Sequence, residues 1–144
     1  VKINATQKTR LFEKAKKRLM TFENVKVAVL GLAFKPGTDD LREAPALDNV
    51  RLLLEHGADV VCYDPIAAAN FHKLYPQIKM ANSVEETLEG AFCCFIFTEW
   101  EEFIRLTPET FRRKMRVPLV YDGRNIFDPE HMKRGGVEYY SIGR

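Results

Sequence analysis

The run Val25-Lys26-Val27-Ala28-Val29-Leu30, with the stretch Gly31 to Glu43 behind it, constrains the fold more than any other part of the sequence. The run is β-branched and nearly continuously apolar, which suits a strand buried on both faces of a parallel sheet. Pro36-Gly37 then makes a turn that keeps a helix from starting early, and Pro45 suits a first helical turn, where its missing N–H is no loss. Leu47, Val50, Leu53 and Leu54 carry that helix to a stop at Gly57. Asp59-Val60-Val61-Cys62-Tyr63 reads as a second strand, ending in Asp64-Pro65. The pieces make a βαβ unit, which joins two parallel strands.

The alternation continues along the chain. A helix is predicted over Ala67 to Leu74, a short strand over Ile78 to Ala81, and a helix over Ser83 to Leu88, with Ser83 as N-cap and Glu86 closing a capping box. Ala91 to Phe97 is the most apolar strand, Trp100 to Met115 a helix broken at Thr107-Pro108, Val117 to Tyr121 another strand, and Val137 to Ile142 a last one. Ahead of them, Leu11, Phe12, Ala15, Leu19 and Phe22 recur at helical spacing from about Ala5 to Phe22, beneath a basic exterior that reads as a solvated face. The expected fold is α/β and Rossmann-like: a doubly wound, mainly parallel sheet with helices on both faces, preceded by an N-terminal helix.

With 22 basic and 20 acidic side chains, the near balance argues against a nucleic-acid or membrane-surface partner. No apolar run reaches the roughly 18 residues of a membrane span, and Cys62, Cys93 and Cys94 lie in apolar runs without metal-ligand spacing. A cytoplasmic protein with core thiols is expected. His56, His72 and His131 are scattered, so no metal site is predicted, and no Ser-His-Asp or Cys-His arrangement can be assigned.

An open parallel sheet binds ligands outside the carboxyl ends of its strands. There, Gly31-Leu32-Ala33-Phe34 lacks the second and third glycines of G-x-G-x-x-G, and Phe34 or Lys35 would obstruct the close backbone approach to a pyrophosphate that the second glycine allows, so NAD binding of the standard kind at this turn is not expected. Asp64 either takes the place of a ribose-binding acid or simply starts an Asp-Pro turn. Lys35 and Arg42 either meet an anion or pair with Asp39, Asp40 or Glu43. Tyr121-Asp122-Gly123-Arg124-Asn125 follows another strand ending on the same edge, so Arg124 is expected to converge with Lys35 on one crevice. A guanidinium fork suits phosphate or a uracil-type carbonyl edge. Glu99, in Thr98-Glu99-Trp100, is either an acid or base or a helix N-terminal charge.

Taken together, Val29 to Pro45, Gly57-Ala58-Asp59-Val60, Tyr63-Asp64-Pro65, Thr98 to Phe103 and Asp122 to Phe127 resemble the C-terminal, UDP-binding domain of the UDP-glucose 6-dehydrogenases, within the UDP-glucose/GDP-mannose dehydrogenase family. The resemblance implies that Phe34 and Lys35 contact a UDP-sugar, that Arg124 holds its UDP part, and that Arg42 reaches the NAD side of a cleft. It further implies an enzyme that oxidises UDP-glucose to UDP-glucuronate with two NAD, held mainly by an N-terminal domain absent here. Its catalytic cysteine lies in a Gly-Gly-x-Cys-x-Pro-Lys-Asp segment that this sequence lacks, so no catalytic residue is assigned and the chain alone is expected to be inactive. Residues 1–22 are then the end of a central dimerisation helix and 23–144 the UDP-binding domain. The apolar face of that helix, without its usual neighbours, is expected to drive association. A UDP-N-acetylhexosamine or GDP-mannose dehydrogenase, or a stand-alone nucleotide-binding module, are the alternatives.

Overall fold

The computed structural model describes residues 8–143. Six parallel strands form one sheet: β1 (Lys26–Leu30), β2 (Asp59–Tyr63), β3 (Lys79–Met80), β4 (Cys93–Ile96), β5 (Leu119–Asp122) and β6 (Glu138–Ser141), in the order β3-β2-β1-β4-β5-β6. That is the doubly wound order, and it reverses direction between β1 and β4. In register, Leu30 lies beside Tyr63 on one side and Ile96 on the other, and Ile96 lies beside Asp122. Four strand ends therefore share one edge.

Helices cover both faces, as the buried-on-both-sides reading of β1 requires. On one face, α1 (Arg10–Leu19), α2 (Pro45–Glu55) and α3 (Ala68–Leu74) pack Leu11, Phe12, Ala46, Val50, Leu53 and Phe71 against Val27, Val29, Cys62, Cys93, Phe95 and Tyr121. On the other, α4 (Val84–Leu88), α5 (Glu101–Ile104), α6 (Pro108–Lys114) and α7 (Pro129–Arg134) bring Leu88, Phe103, Phe111 and Met132 to Ala28, Leu30, Cys94, Ile96 and Val120. Adjacent residues thus serve opposite cores, Cys93 one and Cys94 the other, because strand side chains alternate.

Three details depart from the sequence reading. α7 was not foreseen, although Asp128 caps it by accepting a hydrogen bond from the His131 N–H at 2.9 Å and Pro129 opens it. The capping box of α4 is shifted: Ser83 Oγ accepts from the Glu86 N–H at 3.0 Å, but the Glu86 carboxylate accepts from the Asn82 N–H at 2.8 Å instead of that of Ser83. The helix predicted to Phe22 stops at Leu19, where Met20 turns to φ +70°, and its apolar stripe is not left open for association, since Leu11, Phe12 and Ala15, with Phe22 just beyond the helix, are buried in this chain's own core, Phe12 stacked on Phe22 at 5.4 Å. Buried Asn49 locks α1 to α2, accepting from the Phe12 N–H at 3.1 Å and donating to the carbonyls of Lys8 and Pro45 at 2.6 and 2.8 Å. The first predicted residues of that helix, 5–7, lie outside the described residues.

Candidate nucleotide site

The site is built where the sheet reverses direction. Gly31 leaves β1 with φ +89°, and a Cβ there would sit 2.5 Å from the Cβ and Oγ1 of Thr98, so glycine is demanded both by the backbone and by the close approach of the β4 end. Thr98 Oγ1 then donates to the Ala33 carbonyl at 2.7 Å, tying the two loops together in the core. Beyond this knot Phe34 and Lys35 turn outward, Phe34 with half of its surface open.

Arg124 comes from the loop after β5, and that loop is organised by one buried carboxylate. Asp122 Oδ1 accepts from the Arg124 N–H at 2.9 Å, while Oδ2 accepts from the Ile126 and Phe127 N–H groups at 2.7 and 3.3 Å and from the Tyr139 hydroxyl at 2.6 Å. Gly123 passes so close to the end of β4 that an added Cβ would lie 2.9 Å from the Ile96 carbonyl oxygen. Neither role of these two residues was foreseen; an aspartate that ends an apolar strand and is followed by glycine was the available signal.

Arg124 lies with its guanidinium carbon 5.9 Å from the centre of the Phe34 ring, a cation–π distance. Its Nε and Nη2 donate to the two oxygens of Glu99 at 3.1 and 3.0 Å. Burial works to raise the pKa of Glu99, but the hydrogen bonds and charge of Arg124, together with its own backbone N–H, outweigh it and hold the group below the ordinary glutamate value. Phe34 and Arg124 line a hollow with Lys8, Leu11, Pro45 and Phe97. Its volume of about 60 Å³ is small beside the ~300 Å³ or more of a complete ligand pocket.

The other predicted residues are placed less centrally. Lys35 is exposed, follows Phe34 directly and does not line the hollow; its charge is felt at Asp40. Arg42 is paired: its Nη2 and Nε donate to Asp40 at 2.7 and 3.0 Å, and the Arg42 side-chain and backbone hydrogen bonds pull Asp40 down to about 2. Asp64 belongs to the turn, not to a ribose. Buried, it accepts from Leu32 N–H at 2.8 Å through one oxygen and from Ile66 and Ala67 N–H at 2.9 and 2.8 Å through the other, which leaves little capacity for a ligand.

Residues 28–129 match the UDP-glucose/GDP-mannose dehydrogenase family, UDP binding domain. The chain belongs to this family. It is 36% identical to the UDP-glucose 6-dehydrogenase YwqF of Bacillus subtilis, over 100% of this chain and 33% of that protein. To the UDP-glucose 6-dehydrogenase of Pseudomonas aeruginosa it is 40% identical, over 98% of this chain and 33% of the relative. Among solved structures it resembles an NDP-N-acetyl-D-galactosaminuronic acid dehydrogenase from Methanosarcina mazei, with TM-score 0.79 and 28% identity over 97% of this chain and 29% of that one. The chain spans about a third of the length of the curated relatives it matches.

As a member of a dehydrogenase family, the chain invites a test for a dinucleotide cradle, and the β1 turn does not fit one. The Leu32 N–H is spent on Asp64, and α2 opens far along the loop at Pro45, which has no N–H to offer a pyrophosphate. Cys62, Cys93 and Cys94 are buried thiols whose pKa values burial pushes up, the opposite of what a nucleophilic thiolate needs. Among the described residues no group of three or more His, Cys, Asp and Glu is placed to hold a metal ion, and no helix is long and apolar enough to cross a membrane.

Proposed function

We propose that this chain binds the UDP part of a nucleotide sugar, as the C-terminal third of an NAD-dependent UDP-glucose 6-dehydrogenase that converts UDP-glucose to UDP-glucuronate. The observation that carries the reading is the Arg124 guanidinium held by Glu99 and lying over Phe34 at the carboxyl edge of the sheet. A planar fork of N–H donors beside an exposed aromatic face suits a diphosphate or a uracil carbonyl together with a flat base. Lys35 adds a second cation near the pyrophosphate. Arg42, held away from the hollow on Asp40, faces NAD carried mainly by an N-terminal domain. Redox chemistry then belongs to the rest of the enzyme, and this chain alone binds without turning over. Residues 1–22 are read as the end of the central dimerisation helix and 23–144 as the UDP-binding domain of a cytoplasmic enzyme that is a homodimer or larger.

Isothermal titration with UDP, UDP-glucose and GDP tests this. Binding of both uridine ligands with weaker or no binding of GDP is expected, and indifference to every uridine nucleotide would refute it. The likeness to the Methanosarcina enzyme favours a second reading, a UDP-N-acetylhexosamine as substrate of the whole protein. Turnover of the full-length enzyme on the two sugars separates them, because the sugar lies beyond the groups that this chain supplies.

A further inference from the structure

The Arg124 side chain has many rotamers, yet the site needs it in one. The only carboxylate bonded to its guanidinium among the described residues is that of Glu99, which takes the Nε–Nη2 edge through both of its oxygens at 3.1 and 3.0 Å. Nη1 makes no hydrogen bond to any described residue and so remains a donor, and the guanidinium carbon stays over Phe34, 5.9 Å from the ring centre. Glu99 can act as a fixed post because its own backbone is anchored. The preceding Thr98 is fully buried and bonded to Ala33, and Trp100, next along, is the N-cap of α5. An acid or base role fits poorly, since both oxygens are occupied by a guanidinium and the pKa is lowered.

We infer that Glu99 is the positioning residue of the nucleotide site, holding Arg124 across Phe34 so that its free edge meets the ligand without a rotamer search. The inference rests on the proposed nucleotide reading. Two effects of Glu99 oppose each other. Its negative charge repels a diphosphate, whereas its hydrogen bonds spare the ligand the cost of ordering a long side chain. Orientation outweighs charge here because both groups are about one-third exposed, so water and salt screen the repulsion while the bidentate geometry stays local.

Two readouts on the full chain test this, one of which needs no ligand. The Arg124 Nε–H signal in NMR should be sharp and protected from exchange, lose that protection at least tenfold in Glu99→Ala, and keep part of it in Glu99→Gln, which retains one acceptor oxygen. UDP-glucose titration should show Glu99→Ala about three- to tenfold weaker, the range set by ordering one flexible side chain. Glu99→Gln should fall in between, and in an Arg124→Ala background the Glu99 substitution should change nothing further. Undiminished Nε–H protection in Glu99→Ala overturns the inference, and so does tighter UDP-glucose binding by that variant, which would make Glu99 a plain counter-charge. If the unsubstituted chain ignores every uridine nucleotide, the nucleotide reading falls and the site role of Glu99 falls with it. Lost protection in that case would still show that Glu99 holds Arg124, so the two failures are told apart.

Discussion

Two loops leave the same edge of the sheet and are held in opposite ways. The loop after β5 is fastened from below: buried Asp122 takes three backbone N–H groups and a tyrosine hydroxyl, and Asn125, at φ +54°, exchanges hydrogen bonds of 3.0 and 3.1 Å with the Ile142 backbone. The loop after β1 is fastened most firmly at its root, where Gly31 and Ala33 meet Thr98 and Leu32 donates to buried Asp64. Further out, besides Leu41 packed on the core and an Asn70 side chain donating to the Asp39 carbonyl at 3.1 Å, it has an exposed Arg42–Asp40 pair and an exposed Lys8–Glu43 contact, although Glu43 holds a φ of +62°. Exposed pairs of this kind add little. The contrast separates the two arginines: Arg124 comes from a loop tied to a buried carboxylate, whereas Arg42 sits on a segment held there by an exposed pair.

Breaking the stronger anchor should have the largest effect. Asp122→Ala leaves several buried donors unpaired and should lower the unfolding free energy by about 3 kcal/mol in urea denaturation, whereas Asp40→Ala should leave the midpoint where it was. Equal losses from the two would erase the contrast. Gly31→Ala comes next, at about 2 kcal/mol, because strain at positive φ adds to a clash with Thr98. Gly37→Ala, at φ +83° with nothing within 4 Å of the added Cβ, should cost about half as much. Thermal melts of the pair separate root from tip.

Among the site residues, Arg124→Ala should weaken UDP binding by about 2 kcal/mol, as loss of a charge-assisted pair does, without changing the melting temperature. Lys35→Ala should weaken it by about 1 kcal/mol under the same condition. Unfolding by either substitution would make that residue structural. The smallest effect belongs to Arg42→Ala, which should leave UDP affinity of this chain unchanged and raise KM for NAD only in the whole enzyme. The same change should return Asp40 from about 2 to the ordinary carboxylate range in a carbon-detected NMR titration. The sign follows from the depressed value: the pairing is fully present above the ordinary aspartate pKa and is lost as pH falls through about 2.

Much of the scaffold was legible residue by residue. β2 was legible to its exact ends because Gly57 and Pro65 punctuate a β-branched run, and α2 was legible as an element because Pro45 opens it and Gly57, at φ +85°, follows two residues after its end at Glu55. α7 was missed because six residues make less than two turns, too few for a periodic pattern. Asp64 stayed ambiguous for a different reason. An acid after a strand looks the same in sequence whether it meets a ribose or the backbone of its own turn, and only the three N–H groups around it decide.

The sequence by itself determined the alternation of strand and helix, the parallel sheet, the absence of a dinucleotide glycine pattern, and the motifs that mark the family, since all of these follow from local spacing and residue type. The tertiary structure alone decided which polar groups stand together. Glu99 and Arg124 are 25 positions apart, Thr98 and Ala33 are 65 apart, and Phe12 and Asn49 are 37 apart. Nothing local sets such pairings. They follow from the order in which strands join the sheet, which brings the ends of β1, β4 and β5 side by side and leaves Arg124 lying over Phe34.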